Sequence, residues 1–242
     1  MNFENFNSNN KIHDHSINND HDVCMEAIRP YNKNPIKWSN YLKKQFELHK
    51  ESDRIDEFIN FIHKTKQKET ILILDAGCGA GHSTNYLKSQ GFDPIGIDLS
   101  EGLLNQAKKN YGYIEDCFNN DDIRTLANWK DNQFDVIFVS YAIIHIPKRQ
   151  IPQTFDSLNR VLKRNGYFYF SLNFTSDEKG FENPKDKHPI DTEPVFRNIF
   201  SEKEIIEELR RINFIKTSKI FTRKADPDES PYLKCFFWGK KY

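Results

Sequence analysis

Three glycines at alternate positions, Gly77, Gly79 and Gly81, follow an apolar run and an aspartate in the stretch ILILDAGCGAGH, residues 71–82. Glycine lets a ligand approach the backbone because no Cβ stands between them. A helix that begins after such a loop presents free N–H groups and the positive end of its dipole. The spacing therefore predicts a cofactor pocket, whereas a single glycine would predict only a tight turn.

Asp98 is the second residue whose type and place indicate chemistry. It ends the next predicted strand, about 20 residues beyond the loop, where a carboxylate can accept hydrogen bonds from both hydroxyls of a ribose. A solvent-facing turn aspartate is the alternative. The glycine loop favours the ribose.

Alternating apolar runs and helical stripes must position these residues. Predicted strands cover 71–74, 94–98, 113–118, 134–140 and 167–172, with helical patterns between them over 82–90, 100–110 and around 151–162. Two further strands, over 214–221 and 232–238, follow a capped helix that starts after Ser201. The pattern predicts an α/β fold: a doubly wound, mostly parallel sheet with an antiparallel C-terminal strand pair.

The remaining segments flank this alternation. Residues 1–22 are rich in Asn and predict a disordered tail, with no recognisable metal-ligand spacing in HDHSINNDHD. Residues 23–242 are predicted to form a single domain. Two amphipathic helices over 36–65 are either a lid over the site or plain packing. The polar, proline-containing residues 173–199 predict a long loop on the substrate side.

The glycine stretch also resembles a known motif. Its G-C-G-A-G differs from the G-x-G-x-x-G of dinucleotide-binding proteins and resembles motif I of the class I S-adenosylmethionine-dependent methyltransferases. Similar resemblances follow in GIDLS (96–100), DDIRTL (121–126) and FDVIFVSYAIIHIP (134–147), and the match covers roughly residues 65–222. Asn165 and Asn213 stand where the family commonly has glycine. Asn tolerates the left-handed conformation that such turns need.

The resemblance implies a site for S-adenosyl-L-methionine. Its residues would be Asp75, Gly77, Cys78, Gly79, Gly81, Asp98, Leu99, Asp122, Ile123, Ser140 and Tyr141. In this reading Asp75 orders the loop or reaches the amino group, and the loop lies along the methionine portion. Asp98 holds the ribose, and Leu99 flanks the adenine. Asp122 and Ile123 meet the adenine's exocyclic amine and ring. Ser140 and Tyr141 lie beneath the sulfonium.

His145 is the candidate catalytic residue, because it follows the fourth strand near the expected pocket mouth. It would act as a general base if the acceptor must lose a proton. A histidine packed or hydrogen-bonded under the lid is the alternative interpretation. An N-P-P-Y type motif is missing after the fourth strand, which argues against adenine-N6 and glutamine methylation.

Composition limits the classes of partner and the location that the sequence supports. The formal net charge of zero gives no support to nucleic acid or an anionic membrane as a partner. The four cysteines are widely spaced, and no apolar run is long enough to span a bilayer. We therefore expect a cytoplasmic enzyme without a metal. The helices over 36–65 and the loop over 173–199 are expected to enclose the acceptor site, which favours a small molecule. Transfer RNA or protein methylation, and a non-catalytic cofactor-binding partner, are the alternatives. The glycine spacing disfavours a nicotinamide oxidoreductase.

Overall fold

Three helices precede the first strand in the described part of the chain. The computed structural model describes residues 16–242, apart from 49–50, 67–69, 189, 191–192, 219, 226, 228 and 230. The helices are α1 (Ser16–Lys33), α2 (Pro35–Leu48) and α3 (Glu51–Thr65). Residues 1–15 of the predicted tail lie outside the described residues. The tail prediction is wrong for its last part, because α1 begins at Ser16.

A buried stripe explains why α1 forms. Cys24, Ala27, Ile28 and Tyr31 recur at helical spacing, and none is more than 9% exposed. Pro30 stands inside the helix and interrupts the sequence pattern. None of the described helices combines the length and apolarity that a membrane span requires.

The rest of the described chain is built on a sheet of ten strands. In chain order its elements are β1 (Leu72–Ala76), α4 (His82–Ser89), β2 (Asp93–Asp98), α5 (Glu101–Asn110), β3 (Phe118–Asn120), β4 (Phe134–Ser140), α6 (Ile151–Val161), β5 (Leu162–Thr175), β6 (Phe181–Lys187), β7 (Pro194–Ser201), α7 (Glu202–Arg211), β8 (Phe214–Lys216), β9 (Phe221–Arg223) and β10 (Leu233–Lys241).

The strand order is β3-β2-β1-β4-β5-β10-β8, and β1 to β5 pair in parallel. Strand β10 runs antiparallel to β5, β8 and β9. The predicted fold class is confirmed. Because the chain moves outward in opposite directions from β1 and β4, a crevice opens between the carboxyl ends of these two strands.

Alternating side chains of the strands build a core on each face of the sheet. In β1, Ile73 packs in the layer that includes α3, whereas Leu74 packs in the layer that includes α6 and α7. In β4, Phe138 and Val139 divide in the same way. The sheet is thus covered on both faces, which is the requirement for a parallel sheet.

Three predicted segments differ from the structure. The strand predicted over 214–221 is replaced by two short strands, β8 and β9. The strand predicted over 113–118 is a 3₁₀ helix, Gly112–Cys117, and β3 begins only at Phe118. The loop predicted over 173–199 is wrong, because β6 and β7 pair antiparallel within it. Pro194 opens β7 and Pro184 lies at a register shift, both of which are positions that tolerate proline in a sheet.

Both asparagines that replace a family glycine occupy left-handed turns. Asn165 has φ +61° and Asn213 has φ +57°. The expectation that asparagine serves these turns is confirmed.

Asp75 joins β1 to the start of α4. It is 1% exposed, and its Oδ2 accepts hydrogen bonds from Ser83 Oγ at 2.7 Å and Thr84 Oγ1 at 2.6 Å. Burial raises the pKa of this carboxyl from 3.8 to about 6, and the two hydroxyl hydrogen bonds only partly oppose that effect.

This buried carboxyl should leave a pH signature on stability. Its folded pKa lies above the unfolded value, so its stabilising contribution is present below about pH 4 and is lost as the pH rises through about 6. Between pH 4 and pH 7, the free energy of unfolding of the wild type should fall by up to about 3 kcal/mol relative to that of Asp75→Asn, because the amide does not ionise. Urea denaturation at several pH values measures the difference.

Asp93→Asn is the matched control, since Asp93 is a half-exposed carboxylate on the neighbouring strand. A difference between Asp75→Asn and wild type that stays constant with pH would contradict the assignment.

Candidate active site

A cavity of about 230 Å³ lies at the carboxyl ends of β1, β2, β4 and β5. The predicted site residues that line it are Gly77, Cys78, Gly79, Asp98, Leu99, Asp122, Ile123, Ser140, Tyr141 and His145. Asp75 and Gly81 are outside its lining. The fold therefore brings together ten of the twelve residues that the sequence singled out.

The glycine loop is shaped by close approach to its neighbours. Gly77, Gly79 and Gly81 all have positive φ, between +54° and +85°. A Cβ on Gly77 would lie 2.1 Å from the Cβ of Ala142, directly after β4. A Cβ on Gly81 would lie 2.7 Å from the ring of Phe118. Gly81 thus packs closely against β3 and lies outside the cavity lining, and its predicted cofactor contact stays a prediction.

Asp98 lies beside this loop as the sequence predicted. Its Oδ2 accepts a hydrogen bond from the Gly79 amide at 2.8 Å, and its Oδ1 accepts one from the Ser100 amide at 2.8 Å. Each carboxylate oxygen can accept one more. Burial raises the pKa of Asp98, against the effect of these amides. A half-buried carboxylate that faces a cavity in this way fits a ligand with hydroxyl donors.

The two aspartates after β3 differ in what they can offer. Both oxygens of Asp122 are engaged by Arg124, through Nε at 2.9 Å and Nη2 at 2.6 Å. Asp121 also lines the cavity, and its buried Oδ2 has no hydrogen-bond partner in the described part of the chain. Asp121, which the sequence reasoning missed, is therefore better placed than Asp122 to accept a hydrogen bond from a ligand. The resemblance pointed to its neighbour.

Helix α2 closes the cavity above the glycine loop. A Cβ on Gly79 would lie 3.4 Å from the Cδ1 of Leu42. His82 Nε2 donates to the Ser39 carbonyl of α2 at 2.9 Å, and burial lowers the pKa of His82, which keeps its ring neutral. Residues of α1 and α2 line the cavity, whereas none from α3 does. Of the two helices predicted over 36–65, only the first covers the site.

Gln45 of α2 is a second residue that the sequence reasoning missed. It lines the cavity at 6% exposure, and both atoms of its amide lack hydrogen-bond partners among the described residues. A buried amide costs free energy unless it is paired. Its position therefore indicates a ligand with both donor and acceptor atoms.

The residue that leaves β4 is held in an uncommon conformation. Tyr141 has φ +52°, which is rare for a bulky side chain and is often found at functional sites. The preceding Ser140 Oγ lies 3.0 Å from Ser171 Oγ on β5. Ser140 and Tyr141 both line the cavity next to the glycine loop.

His145 meets two donors. Its Nδ1 lies 3.2 Å from the Phe196 carbonyl, which only accepts, and 3.0 Å from Arg197 Nη1, which only donates. Its Nε2 lies 3.0 Å from Tyr31 Oη and 2.8 Å from Arg197 Nη1. Burial, with the nearby charge of Arg197, holds the pKa of His145 well below 6.5. The imidazole is neutral and its lone pair already accepts hydrogen bonds.

The segment predicted as the substrate-side loop contributes to the cavity as the β6–β7 hairpin. His188 follows β6 and Arg197 belongs to β7, and both line the cavity. The cavity is also lined by Asn173 of β5, Lys234 of β10 and Glu229, which lies between β9 and β10.

The methyltransferase resemblance also emerges from comparison with other proteins. Residues 73–166 match a family described as a methyltransferase domain. The protein YqeM of Bacillus subtilis is 33% identical over 41% of this chain and 41% of its own length. The ubiquinone biosynthesis O-methyltransferase of Methylococcus capsulatus is 30% identical over 40% of this chain and 41% of its own. The chain thus spans less than half of the length of these two relatives.

Solved structures share the fold. Magnesium protoporphyrin IX methyltransferase from Synechocystis, with bound S-adenosylmethionine, aligns at a TM-score of 0.65 and 14% identity, over 91% of this chain and 97% of its own. A methyltransferase from Methanosarcina mazei aligns at 0.62 and 20% identity, over 75% and 96%. Residues 73–166 thus match a methyltransferase domain, and the described chain shares the fold of these S-adenosylmethionine-dependent methyltransferase structures.

Proposed function

We propose that the protein binds S-adenosyl-L-methionine and transfers its methyl group to a small-molecule acceptor. The observation that carries the proposal is the Asp98 carboxylate, held by the Gly79 amide at the edge of the cavity. The bound cofactor supplies an activated methyl group on a sulfonium. The protein has to orient the acceptor and exclude water, and orientation alone can contribute on the order of 7–11 kcal/mol.

Different residues of the cavity would bind different parts of the cofactor. Asp98 would accept hydrogen bonds from the ribose hydroxyls, and Asp121 from the exocyclic amine of the adenine. Leu99 and Ile123 supply apolar walls for the base. Gln45 would pair with the amino-acid end through both atoms of its amide, which suits a group that carries a carboxylate and an ammonium.

An enclosed acceptor side supports a small molecule. Helices α1 and α2 and the β6–β7 hairpin all contribute to the cavity wall, and aromatic rings of Tyr31, Trp38 and His188 form part of it. Cavities with apolar walls and few convergent polar groups suit small ligands.

A screen with S-adenosylmethionine labelled on its methyl group tests the acceptor class. Metabolite extract, bulk transfer RNA and protein extract would each be incubated with the full chain. We expect label in the metabolite fraction. Label in RNA or protein would overturn the small-molecule proposal, and no transfer to any fraction would favour a non-catalytic binding partner.

Asp98→Ala should weaken S-adenosylhomocysteine binding by about 10-fold or more, because hydrogen bonds to a charged group contribute about 1.5–3 kcal/mol. Calorimetry measures the affinity. Asp93→Ala, at the other end of β2, is the control and should bind as the wild type does. Equal affinities in all three proteins would refute the assigned site.

Gln45→Leu should weaken S-adenosylhomocysteine binding several-fold and leave 5′-methylthioadenosine binding unchanged, since that nucleoside lacks the amino-acid end. The apolar side chain has a similar volume and removes both polar atoms of the amide. Equal losses for both ligands would place Gln45 elsewhere, or assign it a structural role.

For His145 we propose a positioning role, as the neutral acceptor that orients Tyr31 and Arg197. Gln can accept at the place of Nε2 but cannot take a proton at neutral pH. With the acceptor found in the screen, His145→Gln should keep most of the turnover and leave its pH profile unchanged, while His145→Ala loses more. A loss of about 100-fold or more in both variants would establish the general base instead.

A further inference from the structure

The acceptor side of the cavity contains a row of polar side chains across three strands. Lys234 of β10 lies directly opposite Asn173 of β5 and Arg223 of β9. Residues opposite each other in paired strands project from the same face of the sheet. Asn173 and Lys234 both line the cavity.

Asn173 presents a donor that the described protein does not use. It is 1% exposed, and its Oδ1 accepts a hydrogen bond from Lys234 Nζ at 3.0 Å. An ammonium only donates, so this contact fixes which end of the amide is the oxygen. Nδ2 is then buried without a hydrogen-bond partner among the described residues. A buried donor in a cavity wall indicates a ligand with an acceptor oxygen.

Lys234 adds positive charge at the same place. It is 4% exposed, and its Nζ lies 5.8 Å from the centre of the Tyr141 ring, at the exit of β4. Glu229 also lines the cavity and forms a bidentate ion pair with Arg223. Arg223 Nη1 donates to Glu229 Oε2 at 2.6 Å, and Nη2 donates to Oε1 at 2.8 Å. Asn173 and Lys234 therefore both place N–H donors at this wall of the cavity.

Aromatic rings face the same cavity. The rings of Trp38 and His188 are 4.7 Å apart and those of Tyr31 and Trp38 are 4.4 Å apart, measured between centroids. A planar ring suits such a wall.

Resting on the proposed function, we propose that the methyl acceptor is a small aromatic carboxylate whose carboxylate group binds Asn173 Nδ2 and Lys234 Nζ. Two neighbouring donors match the two oxygens of a carboxylate. A phosphate monoester has the same sign of charge but three terminal oxygens, so it would leave one without a partner from this pair.

The first experiment compares the affinities of ligands that have similar shapes and different charges. The full chain, saturated with S-adenosylhomocysteine, is titrated with hydroxy- and aminobenzoates, with the matching benzamides and with phenyl phosphate. Ligand-observed nuclear magnetic resonance or calorimetry gives the affinities. We expect at least one benzoate to bind about 10-fold or more tightly than its amide, as for a charge-assisted hydrogen-bond pair.

The second experiment assigns that preference to the pair. Asn173→Asp replaces the donor by a carboxylate that can still pair with Lys234, and Lys234→Met removes the charge at similar length. Both should abolish the preference for benzoate over benzamide. Lys240→Met, on the same strand with its ammonium beside Tyr242, is the control and should keep it.

Three results would overturn the proposal: amides that bind as well as acids, a preference for phenyl phosphate, or no benzoate binding by a wild type that binds S-adenosylhomocysteine. A preference for benzoate that survives in both variants would also overturn it. Failure of the wild type to bind S-adenosylhomocysteine would instead contradict the proposed function.

Discussion

The hydrogen bond between the Asp98 carboxylate and the Gly79 amide is the contact on which the rest of the site depends. It joins the end of β2 to the middle of the glycine loop at 2.8 Å. The loop is also held to β2 by the amides of Gly77 and Cys78, which donate to the Ile97 carbonyl at 2.8 and 2.9 Å. A carboxylate can be buried here only because backbone amides compensate its lost hydration. The loop and the end of β2 are thus joined by hydrogen bonds within the protein itself.

Polar groups of opposite character line the two sides of the cavity. Carboxylates of Asp98 and Asp121 lie beside the glycine loop and β3, whereas Arg197 and Lys234 come from strands beyond β4. Buried charges of this kind require partners, and Arg197 has Asp186 at 3.6 Å. The cavity wall thus has carboxylate acceptors near the glycine loop and cationic donors on the strands beyond β4.

Local patterns predicted the elements whose burial is continuous or periodic, such as β4 with its run from Phe134 to Ser140. The β6–β7 hairpin was missed because its stability comes from distant pairing, including Phe174 with Phe200. Asp121 was missed for a different reason. The loop's conformation decides which of two adjacent aspartates faces the cavity, and no sequence period encodes that choice.

The attachment of α2 affects how the cavity can open. Ser39 accepts through its carbonyl from His82 at 2.9 Å and through its hydroxyl from the Asn110 side chain at 3.1 Å. Trp38, the neighbouring residue, is 1% exposed and part of the cavity wall. Moving this stretch of α2 away from the cavity would break these two hydrogen bonds and expose a buried indole ring, so contacts within the protein hold this part of the wall in place.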